Sequence, residues 1–144
     1  MARKKDKKNG KGSAGQNRKS SEDFITKYQQ KADVISTDSG LMYRVIDETD
    51  ERRHPTFQDS VEVHQRILLT DGKVIADTYK TNSSEKFSVE EAIDGLTEGL
   101  QYMALGERYE FVIPADLAWG KKGNRSKIGP NAVLVIDIRL IDIF

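Results

Sequence analysis

From Ser60 onward the chain alternates: Val61, Val63, Gln65, Ile67 and Leu69 fall on one face, with charged or longer residues between them. That period of two predicts a half-buried strand. Thr70-Asp71-Gly72 is a turn signal, and Lys73 to Thr78 returns as the partner strand. Leu41 to Ile46 and Glu107 to Ile113 carry shorter strand patterns, the second stopped by Pro114. The last strand runs from Ala132 to Ile143, with Leu134, Ile136, Ile138 and Leu140 inward and Asp137 and Arg139 outward.

The period lengthens to that of a helix in two places. Ser20 with Asp23 fits a capping box, and Phe24, Ile25, Tyr28 and Ala32 follow at helical spacing, which predicts a short helix over 21–33. Ser88 with Glu91 is a second match, opening a helix over 89–100 that carries Val89, Ala92, Ile93, Leu96 and Leu100. Gly95 and Gly99 lie inside it, each costing about 1 kcal/mol of helix propensity relative to alanine. Either a neighbour approaches that face closely or the helix is short. His54–Asp59, the polar stretch 79–86 and the Gly- and Lys-rich stretch 115–131 read as loops. About five strands and one central helix, without βαβ alternation, predict an α+β fold: an antiparallel sheet covering a single helix.

Composition adds an asymmetry. Residues 1–20 hold eight Lys or Arg against the single acid Asp6, while the rest of the 144-residue chain holds 15 basic and 22 acidic residues. Residues 1–19 have no aromatic and no branched aliphatic side chain, so nothing there offsets the entropy of ordering the backbone. The expected organisation is a disordered basic tail over 1–19, a short helix and linker over 20–36, and a folded domain over 37–144. The tail reads as a solubilising extension or as a tether to RNA, ribosome or DNA phosphates, although no stacking aromatics interleave its charges. The chain has no cysteine, which excludes disulfides, thiolate zinc sites and cysteine nucleophiles and suits a reducing compartment. The basic start lacks the apolar stretch of a secretory signal, and no segment approaches 18 apolar residues. The expectation is a cytoplasmic protein that does not contact membrane.

Conventional catalytic arrangements are missing. His54 and His64 lack the spacing of a helical metal site, and neither a GxSxG nor a Walker pattern is present. No metal or cofactor is expected. An enzyme built from these residues suits a reaction with little proton transfer. Prolyl isomerisation is one: its barrier of about 18–20 kcal/mol is the resonance lost when the C–N bond twists. An apolar, water-poor pocket that favours the twisted amide over the planar one lowers it by differential transition-state binding.

At this point the chain resembles a known family. Asp71-Gly72-Lys73, Ala92-Ile93-Asp94-Gly95-Leu96-Thr97-Glu98-Gly99-Leu100, Met103-Ala104-Leu105-Gly106-Glu107, Ile113-Pro114 through Trp119-Gly120, and Ile128-Gly129-Pro130 through Asp137 look like the core of FKBP-type prolyl isomerases. Ser39 to Ile46 is similar to the first strand of the bacterial Mip-like branch. The fragments run in order from about residue 24 to 144. The resemblance implies a curved antiparallel sheet around the 89–100 helix, with the substrate pocket between them. It assigns catalytic roles to Trp119, Ile93, Leu96 and Ile136, and peptide contacts to Gln65, Ile75, Ala76, Asp77, Phe87, Ala92 and Ile128.

That pocket departs from the family pattern. Leu96 stands where the family has a tryptophan floor, Gln65 where it has a tyrosine, and Ile136 where it has a phenylalanine. Trp119 replaces a tyrosine whose hydroxyl donates to bound peptide, and its indole N–H still donates from a different place. Phe87 suits pocket lining or plain core packing equally. The family's Phe-Asp pair falls on Ile75 and Ala76 in the preferred ungapped register. A one-residue offset to Ala76 and Asp77 requires a bulge. Loss of ring stacking predicts weakened rather than absent activity. The expected partners are proline-containing or unfolded peptide segments. Three readings follow: a monomeric prolyl isomerase and folding helper; a proline-peptide binding module with little catalysis; and a nucleic-acid-associated factor resting on the tail plus Lys121, Lys122, Arg125 and Lys127.

Overall fold

The computed structural model describes residues 14–120 and 128–144. Seven strands form a single antiparallel sheet: β1 (Ile35–Ser36), β2 (Met42–Asp47), β3 (Ser60–Leu69), β4 (Val74–Asp77), β5 (Glu85–Ser88), β6 (Arg108–Ile113) and β7 (Leu134–Ile143). The strand order is β1-β2-β6-β7-β3-β4, with β5 also paired to β3. Helices are α1 (Ala14–Tyr28), α2 (Thr78–Thr81) and α3 (Asp94–Leu100).

The long strands match their patterns. In β7, Leu134, Ile136, Ile138 and Leu140 are fully buried, and in β3 so are Val61 and Val63. They meet Phe111 and Ile113 of β6 and Leu96 and Leu100 of α3 in the main core. Gly95 and Gly99 explain the close fit: a Cβ there would lie 2.5 Å from Ile113 Cγ2 and 2.6 Å from Phe111 Cε1, respectively. The sheet's other face carries a second cluster, where Tyr28, Phe24 and Ile25 of α1 cover Met42, Val112, Val133 and Val135. Alternation on the strands feeds both faces, Phe111 and Ile113 to one and Val112 to the other.

Four expectations need correction. The sheet has seven strands among the described residues, not about five, because β1 and β5 are short strands whose segments carry no apolar alternation. The first helix starts at Ala14, within the stretch read as tail, and ends at Tyr28 rather than at residue 33. After Tyr28 the backbone tightens, with Lys31 N–H donating to the Tyr28 carbonyl and Val34 N–H to that of Lys31, which returns Val34 to the second cluster. The helix expected over 89–100 is broken: a 3₁₀ turn at Val89–Glu91 is followed by Ala92 and Ile93 in extended conformation, and only then by the seven residues of α3. Ser88 makes no side-chain capping bond. Thr97 holds the break instead, its hydroxyl donating to the Val89 carbonyl at 2.7 Å and the Ala92 carbonyl at 3.3 Å. The stretch 79–86, read as a loop, contains most of α2, capped by Asp77, and the start of β5.

Candidate functional site

A cleft of about 270 Å³ opens between α3 and the sheet. Gln65 and Ile67 of β3, Phe87 of β5 and Ile136 of β7 line the sheet side, and Ala92, Ile93 and Leu96 line the helix side. The break before α3 matters here, because extended backbone at Ala92 and Ile93 brings both residues to the cleft wall. The lining is buried at depth: Ile136 is fully buried, Leu96 5% exposed and Gln65 6% exposed.

Trp119 stands at the rim, 37% exposed. Its position follows from a closed turn. After Pro114 a 3₁₀ turn spans Ala115–Leu117, and Gly120 N–H donates to the Ala115 carbonyl at 2.7 Å. Gly120 adopts φ +62°, a region that favours glycine. Asn131 N–H then donates to the Gly120 carbonyl at 2.8 Å, joining the two ends of the intervening segment.

The polar groups of the cleft are Glu85, Glu91 and Gln65. Gln65 Nε2 donates to Glu85 Oε1 at 2.8 Å, and the Gln65 backbone N–H donates to Thr78 Oγ1 at 2.8 Å. Gln65 Oε1 is buried without a hydrogen-bond partner among the described residues. No group of three or more metal-ligating side chains occurs among the described residues. His64 is not among the lining residues, and its ring stacks on Tyr79 with centroids 5.4 Å apart.

Of the residues that the resemblance singled out, Gln65, Phe87, Ala92, Ile93, Leu96, Trp119 and Ile136 line this one cleft. Ile75, Ala76, Asp77 and Ile128 are not among the lining residues. Residue Ile128 is 2% exposed and packs in the main core. The β3–β4 pairing contains the bulge that only the offset register called for: Leu68 pairs with Val74 and Ile67 with Ala76, leaving Ile75 as the extra residue. Yet the offset brings no carboxylate into the cleft. Asp77 lies opposite Arg66 and accepts from Lys80 N–H at 3.1 Å as the cap of α2. Sequence reasoning missed Ile67, Glu85 and Glu91. Ile67 shares the inward face with Gln65 and was readable; Glu85 was not, because β5 looked like a polar loop. Lys121, Lys122, Arg125 and Lys127 lie outside the described residues, as does the tail through residue 13.

An antiparallel sheet packed on one short helix, with an apolar cleft between them, defines the class. Residues 51–141 match the family described as FKBP-type peptidyl-prolyl cis-trans isomerase. Residues 1–45 match the family described as the domain amino terminal to that isomerase, over the stretch read from the sequence as tail and linker. The chain belongs to the FKBP-type peptidyl-prolyl cis-trans isomerase family. It is 35% identical over 130 residues to the outer membrane protein MIP of Legionella longbeachae, covering 90% of this chain and 55% of that protein. It is 36% identical over 130 residues to the isomerase FkpA of Aeromonas hydrophila, covering 90% of this chain and 48% of the relative. The chain thus spans about half the length of the curated relatives it matches. The crystal structure of FkpA from Escherichia coli superimposes with a TM-score of 0.86 at 32% identity, over 90% of this chain and 60% of that one. A peptidyl-prolyl cis-trans isomerase from Pseudomonas syringae superimposes with a TM-score of 0.83 at 26% identity, over 92% and 96% of the two chains.

Proposed function

We propose that this chain accelerates cis/trans isomerisation of Xaa-Pro bonds in peptide and unfolded-protein segments. The observation that carries the reading is the cleft beside α3, walled by apolar Leu96, Ile93 and Ile136, with the Trp119 indole at its mouth. A proline ring seated against these walls leaves its amide in a water-poor environment, where the twisted, less polar form loses least by desolvation. Trp119 N–H supplies a rim donor for a peptide carbonyl, holding the chain while the bond turns. No proton moves and no covalent intermediate forms. Aliphatic Leu96 and Ile136 shape the proline less closely than rings, so acceleration is weaker than in a cleft with an aromatic floor.

NMR exchange spectroscopy of cis/trans interconversion in Xaa-Pro peptides, comparing the native chain with Trp119→Ala, tests this. Acceleration that falls in the variant supports the reading. Peptide shifts without acceleration favour the second reading, a proline-peptide holding module, which the aliphatic lining also suits. The cysteine-free composition supports a cytoplasmic location; immunodetection in a membrane or secreted fraction would overturn that part.

A further inference from the structure

Gln65 and Glu85 make a polar corner in an otherwise apolar cleft. Gln65 is 94% buried by its 6% exposure, and its amide has one orientation compatible with its neighbour, Nε2 toward the Glu85 carboxylate. Reversal would set Oε1 against a carboxylate oxygen. The amide oxygen is thereby left as a buried acceptor without a partner among the described residues. An unsatisfied buried acceptor keeps the full penalty of its desolvation, so a donor brought to this corner gains more there than in water. Glu91 adds a second carboxylate to the same cleft, and no Lys or Arg is among the described residues lining it. The Glu85 carboxylate therefore both adds acidic character and, by orienting the amide, orphans the Gln65 acceptor, and both effects favour a donor that is also a cation.

Resting on the isomerase reading, we propose that the cleft selects Xaa-Pro segments with a lysine or arginine immediately before the proline. The apolar wall takes the proline ring; the flexible cationic side chain reaches Glu85 and Glu91, with an N–H of the same segment answering Gln65 Oε1. Glu85 does two things: it meets the cation and fixes the Gln65 amide. A partly exposed carboxylate–ammonium contact is worth up to about fivefold in affinity, and salt weakens it as the screening length contracts to about 3 Å at 1 M.

The test is a set of short peptides differing only before proline, with Leu, Gln, Glu, Lys or Arg, measured for exchange rate and for affinity by chemical-shift titration. The expected result is kcat/KM and affinity about threefold or more higher for Lys-Pro and Arg-Pro than for Leu-Pro, lowest for Glu-Pro, with the preference lost in 1 M salt. Glu85→Gln keeps an acceptor for Gln65 Nε2 while removing the charge. In that variant the Lys-to-Leu ratio should fall toward one, whatever the absolute rate. Acceleration with no cation preference, or an unchanged ratio in Glu85→Gln, overturns the specificity proposal and leaves the isomerase reading intact. Absence of acceleration on every peptide defeats the isomerase reading, and the affinity ratio then decides the specificity proposal on its own.

Discussion

Gly99 lies so close to the Phe111 ring that a methyl group on its α-carbon would sit 2.6 Å from Phe111 Cε1 and 2.7 Å from Cζ. The contact sets how near α3 can approach β6. On propensity alone, Gly99→Ala stabilises a helix by about 1 kcal/mol. Overpacking a ring that is fully buried costs about 1–3 kcal/mol and wins. The expected outcome is a lower urea midpoint for Gly99→Ala, and for Gly95→Ala against Ile113. Phe111→Leu should relieve the clash, so the double variant is less destabilised than the sum of its parts by about 1 kcal/mol. A strictly additive pair would show that the approach is looser than the geometry requires.

Tyr28 holds α1 to the sheet. Its hydroxyl donates to Glu110 Oε1 at 2.8 Å, and the same oxygen accepts from Arg44 Nε at 3.0 Å. Arg44 also reaches Asp33 Oδ2 at 3.2 Å, tying the turn after α1 to β2. Tyr28→Phe keeps the ring against Phe24 but removes the bond to the carboxylate, at a cost of about 1.5 kcal/mol. Hydrogen exchange of the α1 amides should quicken while the amides of β6 and β7 stay slow. Equal loss of protection in both would make α1 and the sheet one cooperative unit.

These relationships differ in how far the chain announces them. The β3 and β7 faces are legible because each residue's facing depends only on its own alternation, and the same alternation marked Gln65 as an inward polar residue. Gly95 and Gly99 signalled a close neighbour, though not that it would be Ile113 and Phe111. The segment before α3 misled: a capping-box pattern at Ser88 is local, whereas the Thr97 hydroxyl bonds that stabilise extended Ala92 and Ile93 form only once the chain has turned. Glu85 is less visible still. Its place in the cleft depends on β5 pairing with β3, with Val63 opposite Glu85, and nothing between residues 79 and 86 encodes that partner. The bulge at Ile75 likewise arises from fitting β4 against β3.

Ser21 connects the opposite face to the rim of the cleft. It is 9% exposed, and its hydroxyl donates to the Asn131 carbonyl at 2.8 Å. Asn131 adopts φ +59° and closes the turn onto Gly120, the residue after Trp119. Ser21→Ala leaves that carbonyl without its hydroxyl donor, for about 1 kcal/mol. The Asn131 amide should then exchange about fivefold faster, with the β3 and β7 amides unchanged. Unchanged exchange at Asn131 would show that the turn holds itself.

Alkaline pH should unfold the protein through its tyrosines. Burial raises the phenol pKa values of Tyr28, Tyr79 and Tyr109, reinforced by Glu110, Asp137 and Glu107 in turn. Tyr102 is pushed up to about 12, chiefly by donating to Glu98. In each case the native value lies above the unfolded value of about 10, so the native state keeps protons that the unfolded chain releases. This contribution is complete below pH 10 and is lost as the pH rises through the native values. Urea midpoints should hold steady from about pH 8 to pH 9.5 and fall beyond about pH 10, with phenolate absorbance appearing together with unfolding. Tyr79→Phe removes the phenol that donates to Asp137 at 3.0 Å and should flatten the fall. Ionisation of these phenols at about pH 10 in the still-folded protein would show instead that they are open to solvent.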